Sequence, residues 1–355
     1  MNLEMKQINR FFLLATAPFL GLFLFLLFSF KPLHVELDTA SYVPDVTLQD
    51  RTAILKQDLD KADQSVKVTI SSIRKTSALY KQTTTTMNSI VTNAKTQAVR
   101  PENIYNRRIT AKLGVPFERV ESDRIRIELY KVNPGVYKGY AMKVKLKDPA
   151  AMQMSLGRDN IGSSETTMQA VSRHGAVAGI NAGGFADNGG KRYPLSTTVM
   201  NGEYLTGFES SFKDLFFVGM DNSGKLIGGK FNNKTELDSL KPKFGATFVP
   251  VLLKNGQPMP IPEKWQVSPK RAPRTVIGNY KDDQLLIIVV DGYSESGSSG
   301  ATLQELQSKM YGLGIKDAYN LDGGGSSSLI VNGRVVNNPS DGSLRPVPTH
   351  FLFYK

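Results

Sequence analysis

The 355-residue chain contains no cysteine and only three histidines. Without thiols it can have no disulfide framework, no thiolate nucleophile and no cysteine-ligated metal site. Of the histidines, His34 lies beside an apolar N-terminal run, which leaves His174 and His350 for any serine–histidine–aspartate relay, and no G-x-S-x-G elbow accompanies them. An H-E-x-x-H pair, a P-loop and a dinucleotide-binding fingerprint are also missing, so zinc proteolysis, nucleotide hydrolysis and nicotinamide chemistry have no motif to rest on. Acidic residues are the scarcer charge: 44 Lys and Arg against 32 Asp and Glu give a net +12. A basic chain favours anionic partners, and its compartment decides which.

Residues 11–30 (FFLLATAPFLGLFLFLLFSF) carry no charge, and a helix needs about 20 such residues to cross a bilayer. The run closes in Ser29-Phe30-Lys31-Pro32, without the small-residue pattern at which a signal peptide is cut, so it reads as a retained transmembrane helix. Lys6 and Arg10 precede it, opposed only by Glu4, which assigns residues 1–10 to the cytoplasm and everything after Lys31 to the outside. In that location the anionic partners are lipid headgroups, acidic glycans or phosphate-bearing wall polymers, and nucleic acid is not expected.

Beyond the span, Leu55, Leu59, Ala62, Val66, Thr69, Ile73, Thr76, Tyr80, Thr83, Met87, Ile90 and Ala94 recur with alternating gaps of four and three. This heptad seam predicts one long helix, a stalk across residues 31–107 through which a second copy could pair. Alanine and threonine at half of its positions make the seam weak. Pro101 disfavours helix in the residue before it, so the helix is expected to stop there.

From about residue 108 the texture becomes short β-rich runs separated by glycine turns. RIRIELY (124–130) and YAMKVKL (140–146) alternate as half-buried strands do. Asn201-Gly202, Asn255-Gly256 and Asn332-Gly333, each flanked by apolar residues, signal hairpins. LLIIVV (285–290) reads as a central strand, and Thr302-Leu-Gln-Glu305 as the capping box of a helix that ends at Gly312 or Gly314. Residues 108–355 are thus expected to form an α+β domain, a glycine-rich mixed sheet with packed helices.

Three apolar strands run into polar residues and glycines: toward Asn181-Ala-Gly183-Gly184-Phe185, toward Asp291-Gly292, and toward Asn320-Leu-Asp322-Gly323-Gly324-Gly325-Ser326-Ser327. Asp291 and Asp322, at strand ends, are candidate acids, bases or metal ligands. An isolated Asp-Gly is usually an ordinary turn, but three glycines followed by serines exceed what a turn needs. Successive backbone N–H groups in such a loop can face an anion. Arg271-Ala-Pro-Arg274-Thr275, and Asn338-Pro-Ser-Asp341 with Arg345-Pro-Val347, add guanidinium forks suited to phosphate or carboxylate.

Taken in order, these motifs, with Gly278 and Gly300-Ala-Thr302-Leu-Gln-Glu305-Leu, resemble those of the phosphodiester glycosidase family over roughly residues 120–355. The family commonly has Asn-Gly-Gly-Phe-Phe where this chain has the one-residue-longer Asn181-Ala-Gly-Gly-Phe185, and residues 293–299 differ from its arginine-bearing loop. The resemblance implies hydrolysis of a sugar joined through its anomeric carbon to a phosphodiester, releasing the sugar and leaving a phosphomonoester. It implies that Arg274 and Arg345, with N–H groups of the Gly323–Gly325 loop, hold the phosphate, and that Asp322 or Asp291 acts as base or nucleophile. Asn181 and Asn320 would orient sugar or phosphate oxygens, and Gly183, Gly184, Ser326 and Asp341 would complete the substrate site. No cofactor is required by this reading, while Ca²⁺ or Mg²⁺ on the carboxylates stays open as metal-dependent cleavage at phosphorus. The other alternative is a head that binds a phosphorylated glycan without cleaving it.

Overall fold

The computed structural model describes residues 2–29, 47–211, 214–292 and 300–355. The chain divides into two compact units, one ending at Asn88 and one running from Ser89 to Lys355.

In the first unit, helix Asn2–Ser29 includes Arg10–Ser29, 20 residues of mean hydropathy 2.5 with none of that stretch buried, long and apolar enough to cross a membrane. A second helix, Thr47–Leu113, carries the heptad seam. Leu55, Leu59, Val66, Ile73, Tyr80, Met87 and Ile90 are each more than half exposed. Thr69 and Thr83 donate their hydroxyls to the carbonyls of Ser65 and Leu79 one turn back, which satisfies the polar atom within the helix.

This helix does not stop before Pro101 but continues to Leu113. An interior proline costs about 3 kcal/mol, and contacts made just beyond it within the second unit offset that cost. Glu102 pairs with Arg126 and Lys145, Asn106 meets Lys143, and Tyr105 and Ile109 enter the core, the Tyr105 ring lying 4.8 Å from that of Tyr280. Burying each of these two apolar side chains contributes about 1.5–3 kcal/mol.

The same contacts explain why the first strands are less amphipathic than their sequence suggests. Ile125–Val132 and Gly139–Leu146 bury both faces, because the helix end covers the side that carries Glu128 and Lys143. The Lys143 ammonium lies 3.2 Å from Glu128, and this ion pair holds the Glu128 carboxyl below its ordinary range against the effect of burial.

The second unit is α+β, as expected, but every strand pairing among the described residues is antiparallel, so its sheets are not mixed. Two-residue turns can join only antiparallel strands. Asn201-Gly202, Asn255-Gly256 and Asn332-Gly333 are such turns, with positive φ at all six residues. An eight-stranded sheet runs in the order Glu118–Glu121, Ile125–Val132, Gly139–Leu146, Leu285–Val290, Arg274–Asn279, Asp317–Asn320, Val251–Lys254, Gln257–Pro258. One five-stranded sheet is built around Phe216–Asp221 and Pro242–Phe248, another around Ala178–Asn181 and Thr349–Phe353. Phe185–Asn188 and Lys191–Pro194 form a separate ribbon.

Leu285–Val290 is central, as its composition predicts, and its alternate residues serve two cores. Leu285, Ile287 and Val289 pack among the three sheets with Phe216, Phe244 and Phe351. Leu286, Ile288 and Val290 face helix Leu303–Leu313 and the end of the long helix. The capping box is present, with Thr302 and Glu305 each accepting the other's backbone N–H, and Gly314 closes the helix in the left-handed region.

Candidate active site

Several strand ends meet at one edge of the eight-stranded sheet. Leu285–Val290 runs out into Asp291, Arg274 opens the neighbouring strand opposite Val290, and the strand after that, with Asn320 opposite Val276, continues through Leu321 to Asp322. Asp291 and Asp322 therefore flank Arg274, two strand spacings or about 10 Å apart at the backbone. The sheet containing Ala178–Asn181 joins them: Asp322 N–H donates to the Ala182 carbonyl at 3.1 Å, and Asn181 Nδ2 donates to the Asp322 carbonyl at 2.7 Å.

Asp322 Oδ1 accepts the Gly323 N–H at 3.0 Å, whereas Oδ2 is buried and has no hydrogen-bond partner. Burial pushes this carboxyl up to about 6, opposed by the Ser326 hydroxyl, the Gly323 N–H and the positive charges of Arg345 and Arg192. Ser326 Oγ is likewise buried and, apart from this influence on the Asp322 carboxyl, has no hydrogen-bond partner.

Arg274 is only 5% exposed. Its Nη2 donates to the Pro269 carbonyl at 2.9 Å, its Nε is buried without a partner, and it makes no ion pair among the described residues. Burial alone pulls its pKa down to about 10. A buried cation without a counter-charge is costly, so the position is matched to an anion that arrives from outside.

Asp291 is placed differently. Its Oδ1 accepts the Asn338 N–H at 2.7 Å, which lowers a pKa that burial raises. Arg345 Nη2 lies 2.7 Å from Asp341 Oδ2, and both side chains are partly exposed. Gly325 sits against this ion pair, where a Cβ would collide with the Arg345 guanidinium and the Asp341 carboxylate. Asp341 thus orients Arg345.

Other residues expected to touch substrate are engaged by the protein. Asn181 Oδ1 accepts from Thr275 Oγ1 at 2.8 Å and from the Ser328 N–H at 3.1 Å, so its amide fixes the Asp322 backbone. Asn320 Nδ2 donates to the Val249 carbonyl at 2.6 Å, while its Oδ1 is buried without a partner. The Gly183 N–H donates to Thr349 Oγ1 and the Gly184 N–H to the Thr247 carbonyl, while a Cβ on Gly184 would approach Phe248 to 2.7 Å. These two glycines permit close packing onto strand Pro242–Phe248. In the glycine triplet the Gly323 N–H serves Asp322 and the Gly324 N–H serves the Pro273 carbonyl at 2.9 Å, so neither is free for phosphate. Residues 293–299 lie outside the described residues, as do His34 and the Phe30-Lys31-Pro32 end of the apolar run.

Some site residues had no sequence signal. Arg192, on the Lys191–Pro194 strand, stacks 4.3 Å over the Phe185 ring, pairs with Asp187 at 2.8 Å and donates to the Pro346 carbonyl, so its charge reaches Asp322. Behind Asn181, Thr167 Oγ1 lies 2.6 Å from Ser328 Oγ and 3.2 Å from His350 Nδ1. His350 is fully buried, which depresses its pKa to about 4 and keeps it neutral. Among the described residues no three His, Asp or Glu side chains converge as metal ligands. Two larger cavities, of about 580 and 620 Å³, are lined by none of the residues expected to act.

Comparison with known proteins agrees with this layout. The family model for phosphodiester glycosidase matches residues 174–354, which include Asn181, Arg274, Asp291, Asp322 and Arg345. An SPbeta prophage-derived uncharacterized protein, YomE of Bacillus subtilis (strain 168), is 32% identical over 186 residues, 52% of this chain and 28% of the relative. N-acetylglucosamine-1-phosphodiester alpha-N-acetylglucosaminidase of Bos taurus is 37% identical over 68 residues, 19% of this chain and 12% of that protein. The chain thus spans less than a third of the length of either relative. The catalytic domain of the zebrafish enzyme of that name, auto-inhibited by its pro-peptide, has the same fold, with a TM-score of 0.53 at 18% identity over 68% of this chain and 86% of that one. With the family model covering half of the chain and the strand-end site inside the match, the protein belongs to the phosphodiester glycosidase family.

Proposed function

We propose that the second unit hydrolyses the bond between the anomeric carbon of a sugar and a phosphodiester. The observation that carries this reading is that neighbouring strands end in Arg274, a buried cation without a counter-anion, and in Asp322, whose buried Oδ2 has no partner. In the reaction the oxygen of water bonds to the anomeric carbon as the bond to the phosphate oxygen breaks, and the electron pair leaves with the phosphate. Asp322, mostly ionised near pH 7, takes the proton of the attacking water. Arg274 and Arg345 hold the phosphomonoester that departs, and its stability as an anion lessens the need for a strong general acid. Asp341 orients Arg345, and Arg192 adds positive charge near Asp322. The bovine relative, named for removing α-linked N-acetylglucosamine from a 1-phosphodiester, supports the same reaction class.

The apolar Arg10–Ser29 helix and the basic residues before it support a signal anchor that places this unit outside the cytoplasm. The substrate is then a phosphodiester-bearing cell-surface glycan or wall polymer. The test is product analysis after incubating the full chain, in detergent, with a panel of sugar-1-phosphodiesters, with and without EDTA. Free reducing sugar and a phosphomonoester in equal amounts are expected. A sugar phosphate would mean cleavage at phosphorus, and loss of turnover in EDTA would mean a metal-dependent reaction.

A further inference from the structure

A second cationic basin lies apart from Asp322, where the end of the long helix meets the C-terminal end of helix Leu303–Leu313. It encloses about 620 Å³, and its wall includes Arg108, Lys281 and Lys316 with the polar groups of Asn255, Gln257 and Tyr311, but no aspartate or glutamate. Arg108 is held in position by shape. Its guanidinium fills the space beside Gly314 that a Cβ would occupy, and Gly314 has φ +83°, which favours glycine. The partial negative charge at that helix end accounts for one cation there. It does not account for Lys281 and Lys316, and neither Arg108, Lys281 nor Lys316 makes an ion pair within 4.0 Å among the described residues.

The surroundings add positive charge. Lys112, one turn beyond Arg108, acts on Lys309, whose ammonium is held below its ordinary value first by burial and then by Lys112. Of the acids nearest in sequence, Asp317 is buried behind the wall, where its Oδ1 accepts the Asn255 N–H at 2.8 Å and lies 3.9 Å from the Lys254 ammonium. Asp282 and Asp283 line a different cavity with Lys145 and Lys225, although Asp283 feels the Lys316 charge as well as that of Lys225. A concave, low-dielectric wall of one sign focuses its field on whatever enters.

We propose that this basin is a second anion site, which takes a phosphate-bearing segment of an anionic glycan while another segment of the same polymer occupies the Asp322 site. The three cations meet phosphate oxygens, and the amides of Asn255 and Gln257 and the Tyr311 hydroxyl meet ester or sugar oxygens. The assignment of a glycan rests on the phosphodiester glycosidase reading; the affinity for phosphate does not.

Titrating full-length protein in detergent with inorganic tripolyphosphate separates the two. Lys281→Gln/Lys316→Gln is expected to weaken tripolyphosphate binding at least tenfold and to leave turnover of a single-repeat sugar-1-phosphodiester within twofold of wild type. Lys281→Glu, a single change at an exposed position, should weaken binding in the same direction, and Arg274→Gln should leave this binding event in place. Wild-type affinity in both lysine variants, or loss of all binding in Arg274→Gln alone, would overturn the proposal. If no sugar phosphodiester is turned over by wild type, the catalytic reading fails while the binding result still stands or falls by itself.

Discussion

Two Asp-Gly aspartates, and two arginines three residues apart, lie about one end of the eight-stranded sheet, yet the structure treats the members of each pair oppositely. Arg271 donates to the Gly300 carbonyl at 2.7 Å and pairs with Glu305, and Asp291 accepts the Asn338 N–H, so both have partners from the protein. Arg274, three residues on, is buried without an anion, and Asp322 keeps one carboxylate oxygen buried and unpartnered. A satisfied charge at a chain crossing stabilises the fold, whereas an unsatisfied one persists only where the surrounding structure enforces it. Here the enforcement is visible in the Thr275–Asn181 contact, the Asn181 bond to the Asp322 carbonyl and the Ser328 N–H that holds the same amide.

The contrast can be broken by exchanging one member of each pair. Asp322→Asn is expected to lower kcat/KM by roughly a thousandfold or more with the fold intact by circular dichroism, because the charge lost is the one that takes the proton. Arg274→Gln is expected to cost roughly a hundredfold in kcat/KM, the usual scale for a preorganised group facing developing charge. Arg271→Gln should instead lower the melting temperature and change kcat/KM by less than about tenfold, since it removes structural partners.

A pH profile sharpens the same comparison. Asp322 acts as its carboxylate, so log kcat/KM should fall with unit slope as pH drops below about 6. Removing the Arg345 charge, which favours that carboxylate, by Arg345→Gln should move the fall to higher pH. The smallest effect concerns stability. His350 stays neutral in the fold down to about pH 4, while in the unfolded chain it takes up a proton near 6.5. The unfolded state then binds more protons below 6.5, and stability is lost as pH falls from 6.5 towards 4, by about 3 kcal/mol at most. Urea unfolding of the full chain across that range, compared with His350→Gln, would show the difference.

Features fixed by local chemistry were legible in the sequence. The three Asn-Gly hairpins, the Thr302–Glu305 capping box and the central LLIIVV strand each follow from residues close together in the chain, whereas Arg274 and Asp322 are brought to one place by the pairing of Val276 with Asn320. What stayed hidden depends on contacts distant in sequence. The helix passes Pro101 because Glu102, Tyr105 and Ile109 dock onto strands more than 15 residues away. Asn181 looks like a substrate ligand until Thr275, Ser328 and the Asp322 carbonyl are seen around its amide. Arg192 had no motif, and only the ribbon that lays it over Phe185 gives it influence on Asp322. Asp291 and Asp322 share the same Asp-Gly signature, so only their partners tell them apart.

The most direct measurement is therefore side by side: free-sugar release from one sugar-1-phosphodiester by full-length wild type, Asp322→Asn and Asp291→Asn, each shown to be folded. The expected result is loss of roughly a thousandfold or more in Asp322→Asn and less than about tenfold in Asp291→Asn. Equal losses in the two variants, or a larger loss in Asp291→Asn, would contradict the assignment of the chemistry to the unsatisfied carboxylate.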